Sequence, residues 1–261
     1  MTGTGKTRFG ATMDQMTKRF LGKPTFCIAI EPGEGGGTTS IREFGIDFVT
    51  PETLTQVESV LSDLAADTYY GGVLFDSSNE AVKSYLQPWT LAMPARENPI
   101  SRSMAGVPAR GDYQNMGEKL RQWFVKLINM TTVGGNDPTA KDIDRRKHVY
   151  VTSLLRQKFD DETGRLISTG PDLPGQMQST AISLFQLAGT LDFDRKVEAN
   201  PENPKFPKTV EVPMFAVKMK SGNYQSKDRY GLLPDRVLAD WGYIYERYWL
   251  PAIQANVETT G

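Results

Sequence analysis

Five consecutive apolar residues, Phe26-Cys27-Ile28-Ala29-Ile30, lie between Pro24 and Pro32 with no polar alternation. A run so short and uniform predicts a strand covered on both faces, and such strands belong to parallel sheets whose crossovers place helices above and below. The neighbouring pattern agrees. From Thr7 to Leu21, Phe9, Met13, Met16 and Phe20 recur at helical spacing until Gly22 and Pro24 stop the repeat. A short strand is expected at Ile46–Val49, a helix from Pro51 to Ala66 with proline at a favoured first position, and a second apolar strand over Gly72-Val-Leu-Phe-Asp76. A helix to Leu91, an aperiodic loop from Met93 to Gly111, a helix over Tyr113–Met130 striped by Met116, Leu120, Trp123, Phe124 and Leu127, and a strand over His148–Leu155 follow.

The last third reads as richer in strands. Asp160-Asp161-Glu162-Thr163-Gly164 marks a hairpin tip within Gln157–Ser168, and further strands are expected at Ala181–Leu191 and Val212–Met219, separated by a polar loop from Glu198 to Lys208. From residue 234 to 261 the chain reads as a partly helical tail carrying Trp241, Tyr243, Tyr245, Tyr248 and Trp249. Together these elements predict an α/β chain forming one domain over residues 1–261, with a mostly parallel central sheet, helices on both faces and a β-rich C-terminal third. With 39% hydrophobic and 23% charged residues in 261, the chain can bury a core of that size.

A net charge of -1 restricts any nucleic-acid contact to local clusters of Lys and Arg. The single cysteine, Cys27, lies within the first apolar strand and reads as a small buried hydrophobe. It can form no disulfide within one chain, and no stretch has the length or apolarity of a signal peptide or membrane span. A reducing cytoplasm is the expected compartment, with no membrane partner.

Ligands of open parallel sheets bind beyond the carboxyl ends of the strands, so the polar residues there are the site candidates. Gly3-Thr4-Gly5-Lys6-Thr7 carries the second half of the phosphate-binding pattern G-x-x-x-x-G-K-[ST] directly ahead of a helix. Glycines let backbone N–H groups wrap phosphate oxygens, Lys6 neutralises them, the Thr7 hydroxyl can ligate Mg²⁺, and the helix contributes its positive end. The pattern's first glycine falls five residues before Gly5, ahead of Met1, so the first strand and half of the loop are expected to be missing through a late start or a shortened chain; a natural protein lacking that strand is the alternative. Asp76 ends an apolar strand, where a carboxylate can hold Mg²⁺ or its water; the bland alternative is a cap on the next helix. Glu31 and Glu34, in Glu31-Pro-Gly-Glu34-Gly35-Gly36, are candidates for orienting and deprotonating the attacking water, or else solvated loop charges.

Taken together these residues resemble the RecA-like P-loop ATPases, and most closely a phage subgroup of nucleotide-binding proteins linked to single-strand annealing and recombination. The resemblance spans Gly3 to about Asp235. It implies ATP and Mg²⁺ as cofactors, Glu34 as the catalytic glutamate with Glu31 as runner-up, and a polar sensor of the terminal phosphate at Thr152 or Ser153. Lys227-Asp-Arg229-Tyr-Gly231 resembles the K-x-R-x-G element that reaches into a neighbouring subunit's nucleotide, which implies a ring or filament of identical chains; solvated turn residues are the alternative. Arg156, Lys158 and Arg165, interleaved with Phe159, fall where relatives contact single-stranded DNA, although Asp160, Asp161 and Glu162 make a plain solvated hairpin an equal reading. His148 is given no catalytic role. The expected function is ATP binding and hydrolysis coupled to single-stranded DNA in phage recombination or replication, in the host cell cytoplasm. A non-hydrolysing accessory protein of the same shape is one alternative. A helicase-like or packaging motor is another, disfavoured by the lack of an acid-rich nuclease domain or a separate amino-terminal domain.

Overall fold

In the computed structural model, the described residues are 5–30, 38–93, 107–133, 143–199, 201, 205, 208–217 and 226–260. Helix α1 (Lys6–Leu21) leads to β1 (Thr25–Ala29), α2 (Thr38–Glu43), β2 (Asp47–Val49), α3 (Leu54–Ala66) and β3 (Gly72–Asp76). Helices α4 (Ser78–Ala81) and α5 (Gln87–Leu91) are joined by a π-helical turn, and α6 (Arg110–Thr131) precedes β4 (His148–Val151). These strands form one sheet in the order β2-β1-β3-β4, parallel throughout.

Alternation along the strands divides the core in two. Ile28, Val73 and Phe75 face a cluster with Leu61 of α3 and Leu120, Trp123 and Phe124 of α6. Cys27, Ala29 and Leu74 face the opposite cluster, with Phe9, Met13 and Met16 of α1 and Trp241. Both faces of the sheet are therefore covered by helices, as the uninterrupted apolar run required. The aromatic tail is absorbed in the second cluster: Trp241 stacks on Phe9 with centroids 4.9 Å apart and planes 5° from parallel.

The remaining strands are antiparallel. Strands β5 (Leu155–Phe159) and β6 (Leu166–Pro171) form a hairpin. Next come α7 (Met177–Leu184), β7 (Leu187–Ala188), β8 (Thr190–Glu198) and β9 (Lys208–Ala216), then β10 (Lys227–Asp228), β11 (Arg236–Leu238), α8 (Trp241–Ile244) and α9 (Leu250–Thr260). Strands β11-β9-β8 make a second sheet, and β10 pairs with β7. The tip of the first hairpin is held by Asp160, whose carboxylate accepts the Thr163 N–H at 2.8 Å, a side-chain turn that explains the acidic run there.

Two expectations need correction. Ala181–Leu191 is not one strand: its first part belongs to α7, where Met177 and Ala181 are buried at helical spacing in the cluster shared with α6, and the strand begins only at Leu187. A short apolar run does not distinguish these states, and packing decided for helix. The strand expected over His148–Leu155 stops at Val151, and Leu155 instead opens the hairpin.

His148 opens β4 half-buried, and burial lowers its pKa from the ordinary 6.5. A base whose folded pKa is depressed binds fewer protons folded than unfolded, so stability is full above about pH 6.5 and falls on acidification below it. Glu58 and Asp67 also have lowered pKa values, but from 4.5 and 3.8, so their contribution is lost only at more acid pH. Urea unfolding between pH 7.5 and 5.5, values chosen around the histidine's ordinary pKa, is expected to show a slope of at most about 1.4 kcal/mol per pH unit that His148→Gln removes. An unchanged slope in the variant contradicts that assignment.

Candidate phosphate site

The site is built where α1 begins over the carboxyl end of β3. Gly5 caps the helix with φ 72°, a left-handed conformation that favours glycine, and its carbonyl accepts the Phe9 N–H at 2.8 Å. One turn further in, α1 lies so close to the sheet that a Cβ on Gly10 would stand 2.7 Å from Leu74 Cδ1 and 2.8 Å from Tyr150 Cδ1. A side chain there would push the helix off the strands, so Gly10 sets the approach that brings Thr7 to Asp76. Farther along, buried Asp14 accepts the Thr25 N–H at 2.8 Å and pairs with Lys18 at 2.7 Å, and the Thr17 and Thr25 hydroxyls are 3.0 Å apart. The helix is thus tied to the first residue of β1 as well as packed on it.

Asp76 is buried, and both carboxylate oxygens are engaged. Thr7 Oγ1 donates to Oδ2 at 2.5 Å, and Thr152 Oγ1 donates to Oδ1. The alternative of Asp76 as a helix cap does not hold, since Ser77 occupies the cap position of α4 and its side chain makes no cap hydrogen bond. The Asp76 charge is felt around it: burial first, then this carboxylate, raises the pKa of Cys27 and of Tyr150.

Thr152 is held in turn by the helix after β3. Its carbonyl accepts the Ser78 N–H at 2.9 Å and the Ser78 hydroxyl at 2.8 Å, while Asn79 Oδ1 accepts the Leu154 N–H at 2.9 Å. Ser153, the nucleotide contact expected from sequence, donates its hydroxyl to the Leu154 carbonyl at 3.1 Å, and the hydroxyl that meets Asp76 belongs to Thr152. Asn79 was missed entirely; its place in the first turn after Asp76 is a signal too common to single it out.

Of the other candidates, Gly3, Thr4, Glu31 and Glu34 lie outside the described residues, although Ile30, just before Glu31, donates its N–H to the Asp76 carbonyl at 2.6 Å. Lys6 opens α1 beside Thr7. Lys227 and Arg229 are not brought to Thr7 or Asp76 by their described contacts. Lys227 Nζ donates to the Ser183 carbonyl at 2.6 Å, and the Arg229 N–H to the Gln186 carbonyl at 3.0 Å. Burial and then the charge of Arg229 lower the Lys227 pKa. Arg156 and Lys158 share one face of β5, exposed, and Arg165 is exposed beyond the tip; the Arg156–Asp172 pair is loose at 4.0 Å.

The donor set fits Mg²⁺. A threonine hydroxyl and a carboxylate oxygen converge at the start of α1, and a magnesium ion of this kind keeps waters and phosphate oxygens for its other positions. A dedicated protein cage is not needed, and among the described residues no group of three His, Cys, Asp or Glu side chains could form one. Among them, too, no helix is long and apolar enough to cross a membrane. No protein-family model matches this chain, and no curated protein matches it.

Proposed function

We propose that this chain is a RecA-like P-loop ATPase that binds MgATP at the start of α1 and couples its hydrolysis to single-stranded DNA. The observation that carries the reading is the convergence of Thr7 and Thr152 on the buried Asp76 carboxylate, beneath a helix opened by Gly5-Lys6. Backbone N–H groups and the positive end of α1 would receive the phosphates, and the Lys6 ammonium would offset their charge. Thr7 and Asp76 would hold the metal, which when bound neutralises charge between the outer phosphates. Thr152 fixes the Asp76 carboxylate from the far side. Glu34, with Glu31 as runner-up, would orient and deprotonate water, and Lys227 and Arg229 would act on the nucleotide of a neighbouring copy in a ring or filament.

The β5–β6 hairpin follows Thr152 after only two residues, so movement at the Asp76 site has a short route to Arg156, Lys158 and Arg165. If these cations follow a phosphate backbone, single-strand affinity falls with salt, each neutralised phosphate adding about -0.7 to the log–log slope. The triple alanine variant is expected to flatten that slope by about two units and to leave DNA-independent ATP hydrolysis unchanged. A salt titration of a fluorescent oligonucleotide, run beside an ATPase assay, checks both. Identical slopes remove the hairpin from the DNA site, and no oligonucleotide binding at any salt supports the accessory reading instead, in which the shortened loop no longer holds nucleotide.

A further inference from the structure

The segment from Lys227 to Gly231 is more firmly built than a solvated turn requires. Strand β10 pairs Lys227 with Ala188 and Asp228 with Leu187 of β7. The Asp228 carboxylate then accepts three backbone N–H groups from the chain that follows: Oδ1 takes those of Tyr230 and Gly231 at 3.1 and 3.0 Å, and Oδ2 takes that of Leu233 at 2.9 Å. Leu233 is 4% exposed in the cluster that holds Trp241, so the far end of the loop is fixed in the core. A carboxylate that closes a loop in this way removes backbone freedom from the residues it spans.

The two cations of the segment are used differently. Lys227 donates to the Ser183 carbonyl in the last turn of α7, where unpaired carbonyls and the negative end of a helix favour a cation. The Arg229 side chain is exposed and joins no salt bridge among the described residues. Its planar guanidinium carries a fork of N–H donors that matches two phosphate oxygens at once. We infer that Asp228 is a positioning residue, which holds this loop rigid so that Arg229 is presented to the phosphates of a nucleotide bound by a neighbouring copy. The inference rests on the ATPase reading above and adds to it the residue that orders the reaching cation. An arginine on a loose loop loses much of its gain to the cost of ordering, whereas one on a loop already closed by Asp228 arrives ordered.

Steady-state MgATP turnover by the 261-residue chain and its variants tests this. Asp228→Ala is expected to lower kcat at least about ten-fold with KM for MgATP within about two-fold, because nucleotide binding is left to Lys6, Thr7 and Asp76. Asp228→Asn keeps one carbonyl oxygen but turns amide hydrogens toward the Leu233 N–H, so its kcat is expected to fall between those of the parent and the alanine variant. Mixing separates positioning from general damage to the fold. Asp228→Ala chains keep an intact phosphate site, and Lys6→Ala chains keep an intact Arg229 loop. Equal amounts of the two are expected to regain up to about a quarter of the parent's turnover, since about one interface in four joins the good site to the good loop. Arg229→Ala is expected to match Asp228→Ala and to be complemented in the same way. A mixture no more active than the sum of its parts overturns the inference, as does turnover unchanged in both Asp228 variants. Should the alanine chain not fold, Asp228→Asn takes its place in the mixture, with a rise above the sum again supporting the inference and its absence overturning it. Absence of turnover in the parent is a separate result, which overturns the ATPase reading and this inference with it.

Discussion

Asp76→Asn is expected to lower MgATP turnover at least about 100-fold while the fold persists, the magnitude typical of losing one electrostatic contributor in a closed site. The amide keeps the shape and can still accept one threonine hydroxyl, so the strand, the Ser77 cap and the hydrogen bonds of Asn79 remain. What goes is the charge with which the carboxylate would hold the proposed metal. A residue serving only as a helix cap would behave oppositely, losing about 1 kcal/mol of stability with activity preserved. Steady-state hydrolysis and thermal unfolding of the same preparations separate the two, and unchanged turnover contradicts the metal role. Thr152→Val is the companion substitution: it removes the hydroxyl on Asp76 at nearly constant volume, whereas Ser153→Ala touches only a local hydrogen bond.

The largest loss of stability is expected from Trp123→Ala. Trp123 is 1% exposed in the cluster between α6 and the sheet, with its ring tilted against Phe75 at 6.4 Å between centroids. Its indole N–H reaches Glu58 at 3.5 Å. Burial acts to raise the Glu58 pKa, but Lys119 at 2.5 Å, the Trp123 indole and Lys126 together outweigh it and the carboxyl ends below its ordinary value. Truncation leaves a cavity beneath β3 and removes one partner of that carboxylate, so about 3–5 kcal/mol should be lost in urea unfolding. Tyr230→Ala is the control: at 59% exposure it is expected to change stability by less than about 0.5 kcal/mol. Equal effects from both would show that the α6 face is not the core described.

The parallel sheet was legible because strands buried on both faces admit no polar alternation. Phe26–Ile30 and Val73–Phe75 each carried that pattern between clear stop signals. Asp76 was legible as the polar end of such a run, and Gly5-Lys6-Thr7 as a glycine turn before a helix. What joins them was not. The approach of α1 depends on Gly10 meeting Leu74 and Tyr150, and the second partner of Asp76 sits 76 residues away at Thr152. Such contacts are set by tertiary packing, which leaves no periodicity in the chain. The same limit explains Ala181–Leu191, where helix and strand readings fit equally until Met177 and Ala181 find α6. Thr152 and Ser153 were both candidates by position, and since neighbouring residues of an extended segment point to opposite sides, sequence does not say which of them faces Asp76.

The central claim is that Lys6, Thr7 and Asp76 form one phosphate site, and calorimetric titration with MgATP tests it most directly. The chain is compared with its Lys6→Ala variant, both extended by a loop that supplies the glycine expected five residues before Gly5. Saturable binding in the parent and its loss in Lys6→Ala, at unchanged thermal stability, is the predicted result. Equal affinity in the two proteins would contradict it.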